Sequence, residues 1–221
     1  MHYMLNKLGY AIMKAGVHSA QLEKLRTTLF SEGKAGTRCL LDDATVCEVS
    51  RQLKGQLSES GLLSSLAIAI QAIAFDKTAN SNWKVTWHQD LMYPFAAHPQ
   101  AAEYTLSCEK DGIVYAKPPV KVLEQLTAVR LHLDDCDESN GPLKISPGSH
   151  QHGIVKSEDV ASLVQANGEV TCLARKGEVI LMKVLALHAS SKATHPKNRR
   201  VLHIVYHSGD VITEKWHRAI G

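Results

Sequence analysis

From about Leu66 onward the chain changes its rhythm. Its apolar segments become short and rich in Val and Ile, and clusters of Pro, Gly, Asn and Asp separate them. A chain punctuated this way cannot build long helices there. It predicts strands over Ala67–Phe75, Trp83–Trp87, Leu126–Leu133, Leu143–Ile145, Val170–Ala174, Val179–Lys183 and Val201–His207. Turns are expected at Ser139-Asn140-Gly141-Pro142, Ser146-Pro147-Gly148-Ser149, Asn167-Gly168, Lys176-Gly177 and His195-Pro196. Several short strands at this spacing suggest an antiparallel sandwich or barrel.

The first third reads as helical. Ser19 is placed to cap a helix carrying Leu22, Leu25 and Leu29, ended near Gly33, and a second helix is expected from about Thr45 to Leu57 with Gly55 weakening its end. Neither a repeat nor a linker interrupts the chain. The expectation is one domain over residues 1–221, mainly β with flanking α-helices: helices over about 1–60 pack outside a β core over about 65–208.

Composition narrows the function. Net charge is +3 and the basic residues are scattered; Lys197, Arg199 and Arg200 form too short a cluster to imply nucleic acid. The longest apolar stretch, Leu66 to Phe75, is interrupted by Gln71 and is too short to span a bilayer. The N-terminal MHYMLNKLGYAIMKAG has no leader-like apolar core. Cys39, Cys47, Cys108, Cys136 and Cys172 are odd in number and never spaced C-x-x-C, the usage of a reducing compartment. A cytoplasmic protein acting on a small molecule is expected, with no nucleic-acid or membrane partner; oligomeric state leaves no motif to read.

Chemistry concentrates around histidine. In Trp87-His88-Gln89-Asp90, residues two apart at a strand end point to the same side, so His88 and Asp90 can offer an imidazole nitrogen and a carboxylate oxygen to one metal. The pair is a weak signal alone, since a surface His beside an Asp is common. His188 follows the apolar strand around Val179–Lys183 and supplies a second imidazole. Two imidazoles and one carboxylate make the facial triad typical of non-haem Fe(II) oxygenases. Arg199 then opens the strand through Val201–His207, where a guanidinium can grip a carboxylate with two parallel hydrogen bonds. Ser190 can add a hydroxyl.

Three stretches, FDKTANSNWKVTWHQDLMYP, LTAVRLHLDDCDESNGPLKISPGSHQHG and LHASSKATHPKNRRVLHIVYHS, resemble the phytanoyl-CoA dioxygenase (PhyH)-like 2-oxoglutarate oxygenases. The resemblance implies a double-stranded β-helix, a jelly-roll or cupin-like barrel of two facing sheets. It implies Fe(II) on His88, Asp90 and His188, with 2-oxoglutarate and O2 as co-substrates and Arg199 on the far carboxylate of 2-oxoglutarate. Arg200 is the register alternative, since one step along a strand reverses the face. The implied reaction hydroxylates a small organic molecule, anionic or neutral, while 2-oxoglutarate is oxidatively decarboxylated to succinate and CO2. Asp90 argues for hydroxylation, or another oxygen-derived outcome, over halogenation, because related halogenases lack that carboxylate. Lys77 sits near where the family places co-substrate contacts.

Other polar residues are open to two readings. Arg130, His132 and Asp134 alternate with Leu131 and Leu133, so the stripe either lines the pocket or faces solvent. If internal, Arg130 and His132 are substrate-contact candidates, with Tyr93 bordering the cavity. His150 and His152 repeat the metal-pair spacing, but the Pro147-Gly148 turn favours a structural loop. His203 reads as a core histidine, and Trp83 and Trp87 as core packing. The acidic run Asp134, Asp135, Asp137 and Glu138 reads as a solvated turn. The stretch between Asp90 and Leu126 reads as a loop whose Tyr104, Lys110, Tyr115 and Lys117 can meet an anion. Two alternatives stay beside the enzyme: a metal-binding β-barrel without turnover, sensory or structural, and a cupin-type metalloenzyme that does not use 2-oxoglutarate.

Overall fold

The computed structural model describes residues 1–30 and 35–221. Its first part runs α1 (His2–Leu8), β1 (Tyr10–Lys14), α2 (Ser19–Thr28), β2 (Gly36–Thr37), α3 (Ala44–Glu59), β3 (Ile68–Lys77), β4 (Val85–His88), β5 (Tyr93–Phe95), β6 (Thr105–Lys110) and β7 (Ile113–Lys117). The second part runs α4 (Val120–Leu123), β8 (Leu126–His132), β9 (Leu143–Ile145), α5 (Val160–Asn167), β10 (Val170–Cys172), β11 (Glu178–Lys183), β12 (His188–Ser190) and β13 (Arg199–His207). A six-stranded sheet has the order β1-β11-β8-β13-β3-β2, a four-stranded sheet β10-β9-β12-β4, and a three-stranded sheet β5-β7-β6. Every named strand pairing is antiparallel, and among the described residues the sheets do not close into a barrel. The architecture is the jelly roll, mainly β with flanking helices.

Alternation along β8, β11 and β13 builds two cores at once. Val129, Leu131, Val179, Leu181, Leu202 and Ile204 pack outward against Leu22 and Leu25 of α2 and Val46, Val49, Leu53 and Leu57 of α3. Ala128, Ile180, Met182 and Val205 face inward against Leu143, Ile145 and Cys172 of the second sheet and Tyr93 and Phe95 of the third. Each fully buried Leu or Ile contributes about 1.5–3 kcal/mol by leaving water. Strands covered on both faces read as unbroken apolar runs. The polar exceptions on the inner faces, Arg130, Arg199 and His203, mark where the core gives way to a site.

The helices depart from expectation at their ends. Ser19 is the first residue of α2 rather than its cap; His18 precedes it, and the Gln21 side chain accepts the His18 backbone N–H at 3.3 Å. α2 stops at Thr28, and Gly33 lies outside the described residues. α3 is capped by Asp43, whose carboxylate accepts from Val46 N at 2.9 Å, and it runs through Gly55 to Glu59. A glycine in a helix costs about 1 kcal/mol, less than the burial of Leu53 and Leu57 returns.

Tyr10–Lys14, inside the region read as helical, is an edge strand pairing Ala11 with Leu181 and Ile12 with Ile180. Gly9 ends α1 at φ 82° and releases the chain into that strand. The supposed loop after Asp90 contains the whole three-stranded sheet. Within the acidic run, Asp134 is not a solvated loop residue: Arg200 forks onto it at 2.8 and 3.0 Å, and Arg26 approaches at 3.2 Å. No helix among the described residues is long and apolar enough to cross a membrane.

Candidate metal centre and co-substrate cavity

β12 lies between β9 and β4, and the β12–β4 register sets His188 opposite His88. Asp90 follows two residues after His88, its backbone N–H donating to Val184 O at 3.1 Å. The three side chains converge: His88 Nε2 lies 3.6 Å from Asp90 Oδ1, and His188 Nε2 lies 3.6 Å from Asp90 Oδ2. One donor atom from each falls within 4.8 Å of the others.

The protonation state suits a metal. His88 Nδ1 bonds Thr86 O at 2.9 Å and His188 Nδ1 bonds Ala186 O at 3.0 Å. A carbonyl only accepts, so each Nδ1 carries the proton and each Nε2 turns a lone pair toward the shared point. Burial pushes His188 down to about 4, keeping that ring neutral. Burial alone would raise the Asp90 carboxyl, but the imidazoles of His188 and His88 beside it outweigh that and hold it well below the usual carboxylate range, while Asp90 in turn holds His88 above its ordinary value against burial. A metal displaces any proton from His88 Nε2, and two neutral imidazoles with an ionised carboxylate are then the donor set that Fe(II) takes in a facial triad.

Gln89, between His88 and Asp90, is not among the candidates the sequence offers. Its Nε2 donates to Gly153 O and Leu185 O, both at 2.7 Å, and its Oε1 accepts from Val155 N at 2.9 Å. One amide thus ties the HQD segment to the approach to His188 and to the loop after His152. A Gln between metal ligands is the signal that was available.

The triad opens onto a cavity of about 410 Å³. Arg199 enters it from β13, 3% exposed, its Nε without a partner among the described residues. Arg200 points the other way, to Asp134. Lys77, the register partner of Arg199, is fully buried; its Nζ donates to Ser190 Oγ at 3.2 Å and Ser191 O at 2.7 Å and lies 5.3 Å from the Trp83 ring centre. Burial, with the Arg199 charge behind it, pulls its ammonium down to about 8. Ser190 lines the cavity two residues beyond His188.

Of the two readings of the β8 stripe, the internal one is observed, but only in part. Arg130 lines the cavity, its guanidinium 3.1 Å from His203 Nδ1 and 5.8 Å from the Phe75 ring centre. His132 is buried opposite Val201 near the strand end and does not line the cavity; neither ring nitrogen has a partner among the described residues, and burial pushes it down to about 3. Tyr93 does line it, its hydroxyl donating to Asp90 O at 3.0 Å. His203 belongs to the cavity wall rather than to the apolar core, and Trp83 is likewise a wall residue. Lys110 and Tyr115 reach the cavity from the three-stranded sheet, whereas Tyr104 packs edge-on against Phe95. His150 is no ligand: its Nε2 bonds Asn6 O at 3.0 Å and Gln151 bonds Lys7 O at 3.0 Å, closing the C-terminal end of α1.

The model of the family described as Phytanoyl-CoA dioxygenase (PhyH) matches residues 6–201. None of the curated proteins matches the chain. Among solved structures, AviO1 from Streptomyces viridochromogenes Tue57 is similar at 15% identity and TM-score 0.66, over 96% of this chain and 95% of that one. HygX from Streptomyces hygroscopicus, solved with iron bound, is similar at 14% identity and TM-score 0.64, over 93% and 84%. EctD from S. alaskensis, solved with 2-oxoglutarate and 5-hydroxyectoine, is similar at 17% identity and TM-score 0.61, over 94% and 74%. At these identities the likeness is one of fold.

Proposed function

The chain belongs to the phytanoyl-CoA dioxygenase (PhyH) family, and from that premise we propose that it is an Fe(II)- and 2-oxoglutarate-dependent dioxygenase hydroxylating a small organic molecule. The observation that carries the reading is the convergence of His88, Asp90 and His188 at one point of a cavity that also receives Arg199. Structures of EctD with 2-oxoglutarate and HygX with nickel, 2-oxoglutarate and hygromycin B support the class of co-substrate and a small-molecule substrate.

When bound, Fe(II) supplies the activation of O2 coupled to decarboxylation of 2-oxoglutarate to succinate and CO2. The protein supplies binding, orientation and exclusion of water. His88 and His188, each fixed by its backbone carbonyl, offer lone pairs that need no reorganisation, and Asp90 offers the one negative charge. Arg199 pairs with the far carboxylate of 2-oxoglutarate through its guanidinium fork. Ser190, whose Oγ accepts from Lys77 Nζ, would donate its hydroxyl to the same carboxylate. The apolar wall of Phe75, Val85 and Leu143 limits water on one side of the cavity, which strengthens the charged contacts made there.

Anaerobic addition of Fe(II) and 2-oxoglutarate tests the reading through the weak visible charge-transfer band of the chelate. A band in wild type that is lost in His188→Ala, and that needs far more 2-oxoglutarate in Arg199→Ala, is expected. Stoichiometric iron binding with no band would leave a metal-binding jelly roll of another kind.

A further inference from the structure

Two buried guanidinium groups enter one cavity, and neither has a carboxylate partner among the described residues. Arg199 is 3% exposed and Arg130 is 8% exposed, and the Nε of each makes no hydrogen bond. Among the described residues, the single carboxylate lining the cavity is Asp90, already held between two imidazoles at 3.6 Å. A buried charge without a counter-charge is among the costliest arrangements in a fold. Such a cost persists where a ligand brings the missing charge.

Resting on the reading above, 2-oxoglutarate brings two carboxylates. One belongs at the metal and the other at Arg199, so Arg130 is left over. It is also built to wait for an anion: His203 Nδ1 accepts from its NH1 at 3.1 Å, and the Phe75 ring packs on its face. An Nδ1 that accepts is unprotonated, so His203 steers the guanidinium without adding a charge. We propose that Arg130 binds a carboxylate or phosphate group of the molecule being oxidised, with His203 as its positioning residue, so that the substrate is a small organic anion.

The charge of the cavity agrees. Its lining holds four cationic side chains, Arg38, Lys110, Arg130 and Arg199, against one carboxylate. Fe(II) and the 2-oxoglutarate dianion cancel in formal charge, so the positive excess remains for the substrate. Arg38 and Lys110 are exposed and raise the local concentration of an approaching anion.

The test uses protein loaded anaerobically with Fe(II) and 2-oxoglutarate, titrated with acetate, methyl phosphate or neutral acetamide. Binding is followed by calorimetry and by the chelate band. Both anions are expected to bind and perturb the band, and acetamide is not. Arg130→Gln should weaken anion binding about tenfold or more, the worth of a charged hydrogen bond, while 2-oxoglutarate affinity stays within about twofold. Arg130→Lys should restore part of the loss. Wild type that treats the anions and acetamide alike overturns the proposal without recourse to a variant. So does Arg130→Gln that loses 2-oxoglutarate affinity instead, since the anion would then be the near carboxylate of the co-substrate. Absence of any chelate band in wild type overturns the co-substrate reading separately, and Arg130-dependent anion binding to the metal-free protein still decides the role of Arg130.

Discussion

His188 faces His88 across the antiparallel pairing of β12 with β4, their ring centres 4.2 Å apart and each Nδ1 anchored to the carbonyl two residues before it. The candidate metal centre is therefore a feature of strand register: whatever shifts β12 against β4 separates the donor atoms.

Replacing His188 or Asp90 with Ala should reduce Fe(II) affinity by more than the roughly 10–100-fold that loss of a ligand's supporting partner costs. Equilibrium dialysis with Fe(II) under anaerobic conditions measures this. Wild-type affinity in either variant would mean that the metal sits elsewhere.

Gln89→Leu keeps all three donors but removes the amide that ties the HQD segment to Leu185, Gly153 and Val155. Its Fe(II) affinity should fall roughly 10–100-fold while circular dichroism stays that of wild type. A variant with unchanged affinity and only a lower melting temperature would reduce Gln89 to a purely structural fastener.

The neighbours Arg199 and Arg200 should separate cleanly. Arg199→Ala is expected to weaken 2-oxoglutarate by about 3 kcal/mol, roughly a hundredfold, with iron binding intact. Arg200→Ala breaks the fork to Asp134 and should cost about 1–3 kcal/mol of stability in urea unfolding with 2-oxoglutarate affinity unchanged. The reverse pattern would exchange the two assignments.

Gly9→Ala should destabilise by about 1–2 kcal/mol or more. The position has φ 82°, and an added Cβ would lie 2.6 Å from His150 Nδ1, which cannot retreat without releasing Asn6 O. Calorimetric unfolding reads the loss, and the chelate band should survive it.

Lys77 carries a pH signature. Its folded value of about 8 lies below the ordinary 10.5, so the unfolded chain holds the proton more tightly. Its charging cost is present in full below about pH 8, fades as pH rises from there, and is gone above 10.5, where neither state is charged. Wild type should therefore gain stability relative to Lys77→Met between pH 7 and about 9.5. Parallel pH profiles of the two proteins would show that Lys77 does not titrate in that window.

What the sequence determined by itself is everything governed by local period and local chemistry. Two-residue alternation put His88 and Asp90 on one side, the Val- and Ile-rich runs around β3, β8, β11 and β13 announced a β core, and the HQD, distal His and Arg motifs carried the family. Where local signals are weak, the tertiary structure decided. Tyr10–Lys14 is a strand only because β11 offers it an edge, since five residues after a glycine carry no preference strong enough to resist pairing. The fates of Arg130 and His132, two residues apart on one strand, diverged because one meets the cavity and the other lies buried at its end. That Arg199 turns inward while Arg200 meets Asp134, and that Arg130 finds His203 across β8 and β13, follows from pairing between segments some seventy residues apart. Alternation says which side chains share a face; only long-range packing says which face is dry, which is polar, and which neighbour waits there.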